Sequence, residues 1–213
     1  MHALIIANGT LPPRNIVDTA LSTADFIICA DGGANHARRL KIIPHLILGD
    51  FDSILPSTRR FFQEVQQRRI ADQGSTDLEK AIRFSLRHNF TSADILGGLG
   101  SRIDHTTGAL GCFRKFGERI NLRFIDPEGE ITLIRKAVTF PAKRGEKISL
   151  IPFTPCKGIT TRRLRYPLHN GALELGVREG ISNEATGTPV SISVRSGVLL
   201  LYRFRNSPSP VRR

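Results

Sequence analysis

The sequence predicts an α/β domain, a mostly parallel sheet with flanking helices, followed by an all-β sandwich-like domain. Three observations carry that reading. Through the first 135 residues, short apolar runs alternate with amphipathic stretches. Near residue 136 the pattern changes to short alternating segments separated by Gly, Pro, Asn and Ser. The chemically unusual polar residues follow directly after the apolar runs, where the strands of a parallel sheet would end.

The elements follow in chain order. HALIIANG (2–9) reads as a first strand and IVDTALS (16–22) as a helix. ADFIICADGG (24–33) is a strand closing in glycines, with ANHARRLK (34–41) as the helix after it. HLILGD (45–50) follows Pro44 as the next strand. STRRFFQEVQQR (57–68) is expected to be helical, with Phe61, Phe62 and Val65 on one side. STDLEKAIRFSLRHN (75–89) is the clearest helix. Leu78, Ala81, Ile82, Ser85 and Leu86 keep the three-to-four spacing, and Thr76 with Glu79 forms a capping box. SADILGGLG (92–100) is a strand, DHTTGALGCFRKFG (104–117) a helix weakened by Gly108 and Gly111, and NLRFID (121–126) and EITLIR (130–135) are strands.

Beyond residue 136 the strand candidates are VTFPA (138–142), KISLIPF (147–153), ALELG (172–176), PVSISV (189–194) and VLLLYRF (198–204). Arg195, Ser196 and Gly197 read as a tight hairpin connection between the last two. The expected domains are therefore 1–135, α/β and catalytic, and 136–205, all-β. Residues 206–213, polar, proline-containing and basic, are expected to form a disordered tail.

Composition bounds the function. Hydrophobic residues are 40% and charged residues 23% of the 213, an ordinary soluble balance, and no apolar run approaches a membrane span. The first ten residues lack the basic region and cleavage site of a targeting peptide. Cys29, Cys112 and Cys156 are too few and too dispersed for a disulfide framework or a zinc site, which points to the reducing cytoplasm. The net charge of +12 fits nucleic acid, an anionic small substrate or simply a basic surface. The basic residues are scattered and bring no aromatic stacking platform, so nucleic acid is not the expected partner.

The chemistry collects at the carboxyl ends of the strands. Asp31, Gly32 and Gly33 follow IICA, Asp50 and Asp52 follow LILG, and Gly97, Gly98 and Gly100 follow DIL, with Arg102, Asp104 and His105 next. Asp77 opens the helix after Asp72–Ser75. Carboxylates gathered on one rim repel unless they share a cation or a proton. Magnesium prefers such oxygens and is usually bound together with substrate phosphates. Asp50 and Asp52 would point apart in an extended segment, whereas a turn after Gly49 converges them. GGLGSR lacks the spacing of a Walker loop, yet its glycines let phosphate approach the backbone, and Arg102 offers a fork suited to phosphate.

DGGANH (31–36), GDFDS (49–53), STDLEKA (75–81), GGLGSRIDH (97–105) and GISNE (180–184) occur in that order. The set resembles the thiamine pyrophosphokinase family over roughly residues 1–205. The resemblance implies an ATP-binding catalytic domain, a β-sandwich domain that binds thiamine and dimerises, and active sites built across a homodimer interface. It implies magnesium and the ATP phosphates among Asp50, Asp52, Asp77 and Asp104, and a nucleotide-side rim of Asp31, Gly32, Gly33 and Asn35. Gly98, Gly100 and Arg102 would line the phosphates, and Ser182 and Asn183 would lie near thiamine. Two departures stand out. Gly74 precedes STD, where many relatives carry an acidic or amide residue. The chain also has no tryptophan to stack on thiamine, which leaves an apolar wall from residues 198–204 to serve.

The implied reaction moves a diphosphate from ATP to the primary hydroxyl of thiamine, releasing AMP. Asp77, Asp104 and His105 are the candidates for taking the hydroxyl proton, and the sequence does not choose among them. Two rivals stand beside this reading. The same rim would serve a diphosphokinase for another hydroxylated heterocycle such as a pterin, and the positive charge admits a non-enzymatic nucleotide- or nucleic-acid-binding module. VLLLYRF is also more apolar than an edge strand leaves exposed, which favours burial against another domain or a second copy.

Overall fold

The computed structural model describes residues 1–100 and 102–205, and the tail expected at 206–213 lies outside the described residues. The chain divides into two compact units, one of Met1–Pro127 and one beginning at Glu128.

In the first unit, strands β1 (His2–Ile6), β2 (Phe26–Ala30), β3 (Leu46–Gly49), β4 (Gln66–Arg69), β5 (Ser92–Leu96) and β6 (Asn121–Ile125) lie in the order β6-β5-β1-β2-β3-β4. Every pairing among them is parallel. β1, β2 and β3 are nearly continuous apolar runs, as expected of strands covered on both faces, whereas the outer strand β4 is polar and largely exposed. Leu4, Ile6, Cys29 and Ile47 pack with Val17, Ala20 and Phe62 in one core. The helices are α1 (Arg14–Ser22), α2 (Gly33–Arg39), α3 (Pro56–Phe61), α4 (Asp77–Arg87) and α5 (Ile103–Phe116). The expected cap is present: the Thr76 hydroxyl accepts from the Glu79 amide at 3.3 Å, fixing the first turn of α4.

The helix expected over 57–68 is shorter than its apolar spacing predicts. It ends at Phe61, and Gln66–Arg69 instead pair with Leu46–Gly49 as the outermost strand of this unit. Phe62 is fully buried just past the helix, and the Gln67 side chain donates to its carbonyl at 2.9 Å, so the chain turns and returns to the sheet.

The second unit holds β7 (Gly129–Ile134), β8 (Ala137–Phe140), β9 (Lys147–Pro152), β10 (Cys156–Arg162), β11 (Gly171–Leu173), β12 (Gly180–Glu184), β13 (Val190–Ser193) and β14 (Leu199–Phe204). They form two antiparallel layers, β12-β9-β14-β7 and β11-β10-β13-β8. Ile148, Leu150, Ile159, Val190, Ile192 and Leu199 share a core.

Three details differ from the sequence reading. EITLIR, expected in the first domain, is β7 and belongs to the second unit because it pairs along its whole length with β14. Arg195–Gly197 do not close a hairpin: β13 pairs with β10 and β8, whereas β14 pairs with β7 and β9, so the chain changes layers there. VLLLYRF is not an edge. β14 lies between two neighbours with Leu199, Leu200 and Leu201 at most 2% exposed, so its apolar character is satisfied inside its own unit.

Candidate active site

Loop backbone ties the carboxyl end of β1 to that of β5, and the Asp31 amide after β2 donates to the Leu48 carbonyl of β3 at 2.8 Å. The Gly9 amide donates to the Gly97 carbonyl at 2.7 Å and the Thr10 amide to the Leu99 carbonyl at 3.0 Å. Gly97 has a positive φ of 66°, and a Cβ there would strike the Ala7 carbonyl, so this glycine is required by both conformation and space. At the start of α2 a Cβ on Gly33 would collide with the Ile6 carbonyl, so Gly33 lets the helix approach β1. The Gly100 amide donates to the Thr106 hydroxyl at 3.1 Å, tying the glycine turn to α5.

Three carboxylates converge on this rim. Asp31, Asp50 and Asp77 each bring an oxygen within 4.8 Å of the others. Asp31 leaves β2 in the left-handed region, φ 43°, and is 2% exposed. Its Oδ2 accepts from the Ser53 amide at 2.9 Å, and its Oδ1 is buried with no hydrogen-bond partner among the described residues. Burial pushes the Asp31 carboxyl above the ordinary aspartate range, and the Asp77 charge adds to that. Asp50 is half-buried and is held below its ordinary range, first by the Asp52 amide, with Gln73 and Lys80 acting in the same direction. Asp77 accepts from Lys80 Nζ at 2.9 Å.

The other expected residues sit around this trio. Asp52 is exposed; its amide donates to Asp50 Oδ1 at 3.3 Å and its carboxylate accepts from the Ser53 hydroxyl at 2.8 Å. Asp104 is paired with Arg102 through both guanidinium edges, 2.5 and 3.1 Å, which pulls its carboxyl down to about 2. That pair is on the surface, as is His105 in the next position of α5. Neither Asp52 nor Asp104 belongs to the trio, and Asp31, which the resemblance placed with the nucleotide, does. Asn35 is used structurally: it donates to the Ser53 carbonyl at 3.0 Å and accepts from the Leu55 amide at 3.1 Å, holding the loop that follows Asp50 and Asp52. Gly32 lies against the Asn8 side chain, and Gly98 against Ile95 and Phe124.

In the second unit Ser182 is exposed, with a positive φ of 56° where the β12–β9 register shifts. Its amide donates to the Ser149 hydroxyl at 2.9 Å. Asn183 is buried, and its amide group clamps Tyr166, accepting from the Tyr166 amide at 3.0 Å and donating to its carbonyl at 2.8 Å. Tyr166 itself is 61% exposed, with Arg165 over its ring at 5.7 Å. The sequence reading did not single out Tyr166, whose segment RLRYPLH lies outside the strands expected there. The wall expected from 198–204 is largely interior, since Leu199–Leu201 are buried.

Three carboxylates of which one has an orphaned buried oxygen suit a divalent cation, the charge that would satisfy all of them. Comparison with known proteins places the chain in a family. Residues 17–124 match the family model described as thiamin pyrophosphokinase, catalytic domain, and residues 134–199 match thiamin pyrophosphokinase, vitamin B1 binding domain. Thiamine pyrophosphokinase of Bacillus subtilis (strain 168) is 30% identical over 212 residues, spanning 93% of this chain and 96% of that protein. Thiamine pyrophosphokinase 1 of Oryza sativa subsp. japonica is 26% identical over 235 residues, spanning 96% and 88%. The crystal structure of the Bacillus subtilis enzyme superposes with a TM-score of 0.83 at 28% identity, covering 96% of this chain and 99% of that one. With both domain models matched in order and the acidic rim falling inside the catalytic one, the chain belongs to the thiamine pyrophosphokinase family.

Proposed function

We propose that this protein is a magnesium-dependent thiamine diphosphokinase, which transfers a diphosphate from ATP to the hydroxyl of thiamine and releases AMP. The observation that carries the reading is the Asp31–Asp50–Asp77 trio with its orphaned Asp31 oxygen, on the rim of a family-matched catalytic domain. These three residues would hold the ion. A bound magnesium ion would neutralise charge on the phosphate oxygens and fix their position.

The chain's own groups supply the rest. The Ser53–Asp31 and Asn35–Leu55 bonds hold the loop after β3, so the trio is oriented before substrate arrives. The glycine turn at 97–100 would offer backbone to the phosphates, and Arg102, held by Asp104, gives a positive fork beside it. Asp104, with its proton affinity lowered by Arg102, is a poor acceptor for the hydroxyl proton, and its use here is to orient Arg102. Alignment of the thiamine hydroxyl with the β-phosphorus then dominates the rate, as expected where bond-making needs little proton withdrawal. Ser182 and the Tyr166 face would contact the acceptor. A homodimer, with each site completed by the second copy, is the assembly this reading carries, and three free buried cysteines accord with the cytoplasm.

An acceptor screen tests the assignment. With ATP and magnesium, AMP release should require thiamine; equal or faster release with a hydroxymethylated pterin and none with thiamine would transfer the site to another acceptor.

A further inference from the structure

Lys80 lies one turn along α4 from Asp77, and its side chain is 4% exposed. A buried ammonium is costly unless paired, and the spacing of three residues puts both groups on one helix face. Lys80 Nζ donates to Asp77 Oδ1 at 2.9 Å, and Asp77 is one of three carboxylates gathered within 4.8 Å. Lys80 is thus a buried ammonium paired with one of the gathered carboxylates, which sets it apart from a surface ion pair.

We propose that Lys80 is a resident counter-cation of the metal site, a positioning residue that holds the carboxylate trio together while no divalent ion is bound. The inference rests on the reading that Asp31, Asp50 and Asp77 bind such an ion. Without Lys80 the trio would repel itself in the metal-free protein. With it, the site is preformed, and an arriving ion meets a carboxylate set already partly neutralised. Lys80 therefore stabilises the empty site and weakens its attraction for a second cation, since two like charges near the same oxygens oppose each other.

The experiment uses the full chain with Lys80→Gln, which keeps a donor for Asp77 without the charge, and Lys80→Arg, which keeps the charge. Mn²⁺ alone is titrated by calorimetry, and thermal unfolding is followed in EDTA and in excess Mg²⁺. Lys80→Gln should bind Mn²⁺ about tenfold more tightly than wild type and lose more melting temperature in EDTA than in Mg²⁺. Lys80→Arg should stay within about twofold of wild type for Mn²⁺. Unchanged or weaker Mn²⁺ binding in Lys80→Gln, equal losses of melting temperature in both conditions, or a Lys80→Arg variant behaving like Lys80→Gln would each overturn the inference. Failure of Lys80→Gln to fold even in Mg²⁺ would make Lys80 a packing residue and overturn it too. Wild type that binds no Mn²⁺ would instead sink the metal reading itself, an outcome distinct from wild-type binding unaltered by Lys80→Gln.

Discussion

The Ser53 amide donates to one oxygen of Asp31 at 2.9 Å while the other oxygen of Asp31 is buried without a partner among the described residues. One carboxylate thus does two things: it ties the loop after β3 to the end of β2, and it presents an unsatisfied acceptor to the acidic rim. Asp31→Asn separates the two. Asparagine tolerates the left-handed backbone that Asp31 adopts and still accepts from Ser53. The variant should fold with a melting temperature near wild type, bind Mn²⁺ at least about tenfold more weakly and lose roughly 10²-fold in turnover. Undiminished Mn²⁺ affinity in calorimetry would remove Asp31 from the ion site.

Asp50 and Asp52, paired in the GDFDS motif, should separate on substitution. Asp50 belongs to the trio, whereas Asp52 is exposed and its carboxylate engages the Ser53 hydroxyl. Asp50→Asn should weaken Mn²⁺ binding to the nucleotide-free protein by about tenfold or more, and Asp52→Asn by less than about threefold. Calorimetric titration of both variants checks this, and equal losses would put Asp52 at the ion on the same footing.

Much of this was legible in the sequence because strand-end carboxylates and glycine turns are local signals. The parallel strands showed as apolar runs, α4 showed through its period and the Thr76 cap, and Asp50 and Asp77 stood out by position. Membership of the trio did not, because it depends on how three separate segments converge in space, and the left-handed turn at Asp31 is not written in the composition of DGG. The α3–β4 segment misled because Phe61, Phe62 and Val65 mimic a helical face, although Phe62 anchors a turn. Strand β10 was missed since CKGITTR is interrupted by Gly158, which has a positive φ of 69° and lies at a register shift. The Arg195–Gly197 connection looked like a hairpin because turn chemistry is the same whether a chain reverses within a layer or passes between two.

Tyr166 should matter to the acceptor. Its backbone is clamped by Asn183 and its ring is exposed, with Arg165 over the ring. The cationic thiazolium of thiamine would gain from an aromatic face. Tyr166→Ala should raise KM for thiamine about tenfold, with KM for ATP within about twofold, and Tyr166→Phe should match wild type, since the ring and not the hydroxyl does the work. Steady-state kinetics with each substrate varied in turn decides this; an unchanged thiamine KM in Tyr166→Ala would take the ring out of the acceptor site.

The three thiols should be inert in the folded protein. Burial raises the Cys29 thiol far above its ordinary value and pushes Cys112 up to about 12 and Cys156 up to about 11, so the reactive thiolate is scarce at pH 8. Titration with a thiol-reactive disulfide reagent should show no fast phase in native protein and three equivalents after denaturation in guanidinium. A fast equivalent from native protein would mean that one of these sites opens readily.

The identity of both products tests the central claim most directly. Purified protein given ATP, magnesium and thiamine should form AMP and thiamine diphosphate in equal amounts, resolved by ion-exchange chromatography, and Asp50→Asn should abolish both together. ADP accompanied by thiamine monophosphate would contradict the account, because it would show transfer of a single phosphoryl group from the acidic rim instead of a diphosphate.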